Sequence, residues 1–355
     1  MKNFKKIQNF IMNKNVYCGI DVHYAYWFLC FVCDGEVVER TRVYGSYSNL
    51  KHVLKRYHQA RNIKLVYEAG FSGFWLCRKL TNDGYNCMIT SPSLMPTTAD
   101  KVKTDKGDAE KLAFYLVADI LKSVYVPSEI EESNCRVMRC REQVVKKQNR
   151  TKHQIRSFLN LKGIKKPEYI KSNWSRKYLT WLETMTFEFE SEKFYLSILL
   201  KDYHNQSSAL VEVNLCLKKM SESPAYQKNY KSLTSAPGVG LITAMTLLLE
   251  IYDFGRFSSG ERFGSYLGLT PSQFSSGPHV RLGHITRQGK AVVRKVLIEA
   301  TWTAIRFDPH LREKYNRIRA KGENGKKAIV AVARSFAIRL RSALLAGTDY
   351  VIGVC

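Results

Sequence analysis

Acidic residues are scarce in this chain: 31 Asp and Glu stand against 56 Lys and Arg over 355 residues, a formal charge of +25. A soluble protein with that imbalance meets a polyanion, and counterion release makes a nucleic-acid backbone the foremost one. A membrane surface is the competitor. Yet no apolar run reaches the length needed to span a bilayer, and Lys14 interrupts the N-terminal segment before a signal-like core forms. A cytoplasmic protein with no membrane partner is therefore expected. A cysteine framework is missing as well. Nine cysteines are scattered, Cys30 and Cys33 form the only close pair of CxxC type, and they sit inside an apolar strand. No second pair or histidine partner has zinc-ligand spacing, so all nine read as reduced thiols. What is present suffices for folding. Hydrophobic content of 45% with 12% aromatic residues excludes disorder, and the length accommodates two or three domains.

The order of elements is informative. Val16–Asp21 reads as a strand delivering a carboxylate at its end, and Tyr24–Cys33 as a second, aromatic-rich strand. Asp34-Gly35 signals a tight turn into a third strand, Glu36–Val43. A helix over Ser48–Ala60 follows, then a strand Lys64–Glu68, again ending in an acid. Gly70 and Gly73 lead into a helix Phe74–Leu80, with a fifth strand at Tyr85–Ile89. The next helix opens within Lys103–Ala113 and carries Asp105 and Asp108 three residues apart, hence on one face. Leu112, Ala113, Leu116 and Val117 behind them suit a helix lying on a sheet. This order predicts an α/β, ribonuclease H-like layout: a mixed five-stranded sheet flanked by helices.

In that layout acids at the first strand, the fourth strand and the last helix converge, and Asp21, Glu68, Asp105 and Asp108 occupy those places. Phosphoryl transfer needs charge neutralised on the attacking and leaving oxygens, which two magnesium ions about 4 Å apart accomplish. Magnesium takes hard oxygen ligands and keeps several waters, so a few carboxylates suffice. Asp near a helix start is also an ordinary cap favoured by the macrodipole. In a chain this basic, concentrating four acids at element ends is not what solubility would choose, and unpaired they would repel one another without a metal.

Beyond Lys122 the character changes. Ile130–Leu161 reads as a long helix bearing Lys146, Lys147 and Arg150 among many cations, and Glu183–Met220 as a second one. Two long helices with a polar link suggest a helical hairpin or coiled coil, within one chain or between chains. Its basic face suits phosphate contact or plain solvation. Further on, Ala236-Pro237-Gly238-Val239-Gly240 before an apolar helix Leu241–Ile251 resembles a helix-hairpin-helix turn, whose amides (Gly238, Gly240) meet phosphates. An ordinary helix turn explains it nearly as well. The helix Glu261–Leu267 precedes Gly268–Gly277, and then come Arg281, His284, Arg287, Lys290, Arg294 and Lys295. Ser276, bordered by cations, could attack a phosphodiester, although no local base partner is evident. Ser275-Ser276-Gly277 is equally ordinary loop composition.

Taken together, Gly19-Ile20-Asp21-Val22, Glu68-Ala69-Gly70, Asp105-Lys106-Gly107-Asp108-Ala109, Pro237–Gly240, Gly268-Leu269-Thr270-Pro271, Ser276-Gly277 and Gly283–Gly289 are specific in combination. In these segments the chain resembles, over nearly its whole length, the DEDD transposases of bacterial insertion sequences (type one-hundred-and-ten), which are guided by a bridge or seeker RNA. The resemblance implies a RuvC-like catalytic domain over 1–125, a basic coiled-coil region over 126–225 and a mostly α transposase domain over 226–355. It implies that Asp21, Glu68, Asp105 and Asp108 hold Mg2+, two ions per site with Mn2+ able to substitute. It further implies that Ser276 is the nucleophile, with Ser275 as the neighbouring alternative, and that the partners are donor and target DNA and a structured guide RNA. A homo-oligomer, dimer to tetramer, would let one subunit's serine complete another's acidic site. The expected chemistry is DNA cleavage and rejoining through a serine-linked intermediate, with guide pairing choosing sequence. Two rivals remain: a RuvC-like junction-resolving nuclease using water, for which the Ser276 segment has no purpose, and a non-catalytic binding protein, for which the full acid set has none.

Overall fold

The computed structural model describes residues 2–92, 95, 105–276 and 279–353. The side chains of 2–5, 105, 106, 274–276 and 279–282 lie outside that description, as do the expected helix opening at Lys103-Thr104 and the expected turn residue Gly277. The chain divides into two units, Met1–Ser128 and Glu129–Cys355.

In the first unit a helix α1 (Lys2–Ile11) precedes the strands β1 (Asn15–Val22), β2 (Tyr26–Cys33) and β3 (Glu36–Tyr44). Asp34 and Gly35 both take positive φ (50° and 80°), which is how two residues reverse the chain between β2 and β3. Helix α2 (Tyr47–Leu54) is capped by the Ser46 side chain and ends in a short 3-10 turn at Tyr57, three residues before the expected end. Then come β4 (Asn62–Glu68), α3 (Trp75–Asn82), β5 (Asn86–Thr90) and α4 (Asp105–Val117). The sheet order is β3-β2-β1-β4-β5, antiparallel among the first three strands and parallel from β1 to β4 to β5. The expected mixed five-stranded α/β sheet is thus present.

Period-2 alternation assigns the two faces of β1. Val16, Cys18 and Ile20 enter a core with Leu50, Leu54, Leu65, Tyr67 and Leu76. Tyr17 packs on the other face with Val66, Leu112 and Leu116 of α4. The same alternation separates Cys30, which packs on Ala109 and Ala113, from Cys33 in the opposite core. The CxxC pair therefore cannot share a ligand. All eight cysteines among the described residues are free thiols.

The second unit is mostly helical. It begins with α5 (Glu129–Leu161), α6 (Arg176–Glu183) and α7 (Glu190–Glu222). The second long helix was expected from Glu183; instead the chain breaks after it. Tyr178 and Leu182 of α6 fold back to bury against Ile155 and Leu159 of α5 and Leu196 and Leu199 of α7. Then follow α8 (Gln227–Thr234), α9 (Leu241–Ile251), α10 (Gly260–Tyr266), the hairpin β6 (Pro271–Ser276) and β7 (His279–Ile285), α11 (Ala291–Phe307), α12 (Pro309–Ala320) and α13 (Gly325–Ala346). Met138 of α5 and Leu217 of α7 share one core with α9, α11 and α13, so the root of the helical pair is built into this unit. Asp308 is fully buried there, capping α12 and accepting hydrogen bonds from Arg339 (2.8 Å) and Tyr350 (2.6 Å). No helix among the described residues is long and apolar enough to cross a membrane.

Candidate active site

Gly19 determines how α4 meets the sheet. A Cβ there would lie 2.0 Å from the Ala109 carbonyl oxygen and 2.6 Å from the Ala113 amide nitrogen. Helix backbone therefore rests directly on strand backbone, an approach only glycine permits. Further along α4, Leu116 packs on Tyr17, earlier in β1. The helix thus runs against the strand, and its N-terminal turn points toward the Asp21 end. Arg40 of β3 clamps the following turn by a two-pronged pair to Glu110, both bonds 2.8 Å, and holds the Glu110 carboxyl below its usual range.

Asp21 follows Gly19 by two residues and so faces the α4 side of the sheet, as Glu68 does two residues beyond Val66. The parallel register of β1 with β4 ends at Ile20 opposite Tyr67, and the next residue of each strand is Asp21 and Glu68. Adjacent strands lie about 4.8 Å apart, so the two acids sit at neighbouring strand ends. Tyr67 anchors the β4 end, its hydroxyl donating to the Gly73 carbonyl (3.0 Å) and accepting from the Cys77 amide (3.2 Å). Asp108 lies in the first turn of α4, one turn before Leu112 on the sheet-facing stripe, and is half-buried. Asp105 is the first residue of that helix; its side chain is outside the described residues. Among the described residues no three His, Cys, Asp or Glu side chains gather closely enough to hold a metal.

One neighbour was missed in the sequence. His23 Nε2 lies 2.9 Å from Asp21 Oδ2, and the His23 backbone is fixed by bonds with Tyr26 and the Trp27 indole. The signal was its spacing of two residues from Asp21 on an extended chain.

In the second unit the Ser275-Ser276 segment is strand rather than loop, with Ser276 the last residue of β6, opposite His279. The base of this hairpin is interlocked. A Cβ on Gly268 would meet the Gln288 carbonyl oxygen at 2.1 Å, and one on Gly289 the Tyr266 carbonyl oxygen at 2.1 Å, both glycines having positive φ. Arg294 locks the junction by donating to the carbonyls of Leu267, Gln288 and Gly289. Lys290 pairs with buried Glu250, which also binds Arg139. Arg294 and Lys290 thus have internal partners, while Arg287 is exposed and the Arg281 side chain is outside the described residues. Gly238 packs against Ala300 and Thr303 of α11, whereas Gly240 borders open space at the start of α9. Lys146, Lys147 and Arg150 are all exposed on α5.

Comparison with known proteins decides what this arrangement belongs to. A transposase profile of the DEDD, IS110 type matches residues 18–163, and one described as "Transposase IS116/IS110/IS902 family" matches residues 230–316. The chain is 30% identical to a putative transposase, y4qE, of Sinorhizobium fredii, over 78% of this chain and 68% of that one. It is 28% identical to the transposase for insertion sequence element IS1533 of Leptospira borgpetersenii, over 93% and 95% of the two chains. The chain belongs to the IS110 family of transposases. As an insertion-sequence transposase it is a DNA-cleaving and recombining enzyme with DNA as substrate, and the DEDD domain implies use of divalent metal. The matched IS110 segments span all four acids in the first case and Gly238 through Arg294 in the second.

Proposed function

We propose that this IS110-family transposase cuts and rejoins DNA through a serine-linked intermediate at a DEDD site formed by Asp21, Glu68, Asp105 and Asp108, directed by a guide RNA. The observation that carries the reading is the parallel register of β1 with β4, which runs to Ile20 opposite Tyr67 and leaves Asp21 and Glu68 as the next residue of each strand, on the face covered by α4. The donor set fits magnesium, being carboxylate oxygen at the ends of rigid elements. When bound, two such ions supply charge neutralisation at the scissile phosphate. The acids hold that charge in place, and His23 orients Asp21 through its 2.9 Å contact with Oδ2.

Ser276 is the proposed nucleophile. Its Oγ attacks phosphorus, an Oγ–P bond forms as the bond to the leaving deoxyribose oxygen breaks, and that oxygen departs with a proton. Attack by the hydroxyl of a second strand reverses the step and restores a phosphodiester without a high-energy cofactor. The interlocked base at Gly268 and Gly289 supports this role, since it fixes where β6 and β7 leave the helical body and so limits the entropy lost in positioning a nucleophile. A ribonuclease H-like reading of the first unit is supported by its strand order. We assign 1–125, 126–225 and 226–355 to catalysis, to basic helical contact and to the serine-bearing domain. Assembly as a dimer or tetramer would pair one subunit's serine with another's acids. The charge of +25 supports two nucleic-acid partners, guide RNA as well as DNA.

The test is denaturing electrophoresis of labelled target DNA incubated with protein, guide RNA and magnesium, with peptide mapping of any adduct. Ser276→Ala should remove both cleavage and adduct, while Ser275→Ala retains activity. Replacing Asp21, Glu68, Asp105 or Asp108 by Asn or Gln should abolish cleavage and leave folding intact. Metal-dependent cutting by Ser276→Ala, with no adduct in the wild type, would replace this reading with a junction-resolving nuclease acting through water.

A further inference from the structure

Three cations gather where α10, α12 and α13 meet in the second unit. The Lys314 ammonium donates to the Ser335 hydroxyl across the α12–α13 contact. Arg317 follows Lys314 by three residues on α12 and so shares its face. Arg334 precedes Ser335 on α13, and its side chain lies along Gly264 of α10, 3.1–3.5 Å from where a Cβ would be. Burial, and then the nearby charges of Arg317 and Arg334, hold Lys314 below the usual ammonium value. Glu261 feels the charge of Arg334, but its carboxylate is engaged by its own backbone amide and the Ser259 hydroxyl at the start of α10.

The contrast within the same unit is instructive. Where the fold uses cations for its own stability it encloses an acid between them, as Glu250 between Arg139 and Lys290, or Asp308 beside Arg339. At Lys314, Arg317 and Arg334 no carboxylate is ion-paired with any of the three among the described residues. Like charges crowded around a half-buried ammonium are unfavourable unless an anion joins them. A phosphate suits the chemistry of the cluster, because two guanidinium forks and an ammonium offer many donors to its oxygens.

We propose that Lys314, Arg317 and Arg334 form a seat for the phosphate backbone of the transposase's duplex DNA substrate. Its three residues are none of the proposed acids, the proposed serine or the three α5 cations Lys146, Lys147 and Arg150. It positions DNA through phosphates and carries no sequence information, which suits an enzyme whose sequence choice lies elsewhere.

The experiment measures affinity of the full chain for a fluorescein-labelled duplex between about 50 and 200 mM salt. Neutralising the three residues together (Lys314→Gln, Arg317→Gln, Arg334→Gln) should make the slope of log K against log salt shallower by about 2.7, three contacts at roughly 0.9 each. The charge-retaining set Lys314→Arg, Arg317→Lys, Arg334→Lys should keep the wild-type slope. A control neutralising Lys55, Arg61 and Lys122, exposed in the first unit, should change it by less than about 1. An equal change in the control would mean bulk charge alone and overturn the seat. Wild-type protein gives a readout independent of any variant's folding. Duplex DNA should shield Lys314 from acetylation and Arg317 and Arg334 from phenylglyoxal. Full reactivity in the presence of bound duplex, or shielding by RNA only, would overturn the proposal.

Discussion

At the scale of single residues, Gly19 and Asp308 show two different ways a position becomes irreplaceable. The atoms that a methyl at Gly19 would strike are backbone, so neither can rotate aside. Gly19→Ala is expected to cost about 1–3 kcal/mol through overpacking. It should also lower DNA cleavage by lifting the turn that carries Asp108. Thermal unfolding and a cleavage assay on the same preparation check both. An unaltered melting temperature would mean α4 does not sit on β1. Asp308 is irreplaceable for charge. Burial alone would raise its carboxyl, but hydrogen bonds from Tyr350 and the Leu311 amide, with the charge of Arg339, hold it below the usual value of 3.8. Its folded pKa being depressed, the stability it contributes is present above its unfolded value and is lost as pH falls through the folded one. Unfolding titrations should show stability falling below about pH 4, and Asp308→Asn should flatten that dependence while costing about 3 kcal/mol at neutral pH.

At the scale of elements, α5 and α7 form a pair whose contact is partly polar. Gln148 donates to Ser207 (3.0 Å) in the buried seam, and Arg141 to Asn214 (2.8 Å). Such pairs fix the register of long helices that apolar residues alone would let slide. With register fixed, Lys146, Lys147 and Arg150 stay exposed on one helix face. Replacing these three by Gln should make the salt dependence of nucleic-acid affinity shallower by about 2.7, read by fluorescence anisotropy. No change would mean this face meets solvent or another subunit. The break between α6 and α7 was hidden in the sequence because Glu183 and the residues beyond it continue an acceptable helical pattern. It is the burial of Tyr178 and Leu182 against α5 and α7 that folds α6 back. The β6–β7 hairpin was hidden for the opposite reason, since Ser and Gly composition argues for loop while strand pairing is a property of two segments together.

At the scale of the whole molecule, charge and metal dependence separate cleanly. Chelating divalent ions with EDTA should stop DNA cleavage and leave the circular dichroism spectrum and DNA binding at matched ionic strength essentially unchanged, because the acids proposed as ligands sit at element ends rather than in either core. Loss of helical signal on chelation would instead make the metal structural.

The sequence by itself determined the order of strands and helices in the first unit, the acids at the ends of β1 and β4, and the basic character of α5. These follow from period-2 and period-3.6 patterns, turn residues and counts of charge, all of which are local. Only the tertiary structure decided that Gly19 seats α4 on β1, that Glu68 is the register neighbour of Asp21, and that His23 backs that acid. It likewise decided that Lys290 and Arg294, alike in sequence to the other cations of their segment, are engaged by Glu250 and by three backbone carbonyls. Whether a charged side chain reaches solvent or turns inward depends on which distant residues offer it a partner, and spacing along the chain carries no record of that.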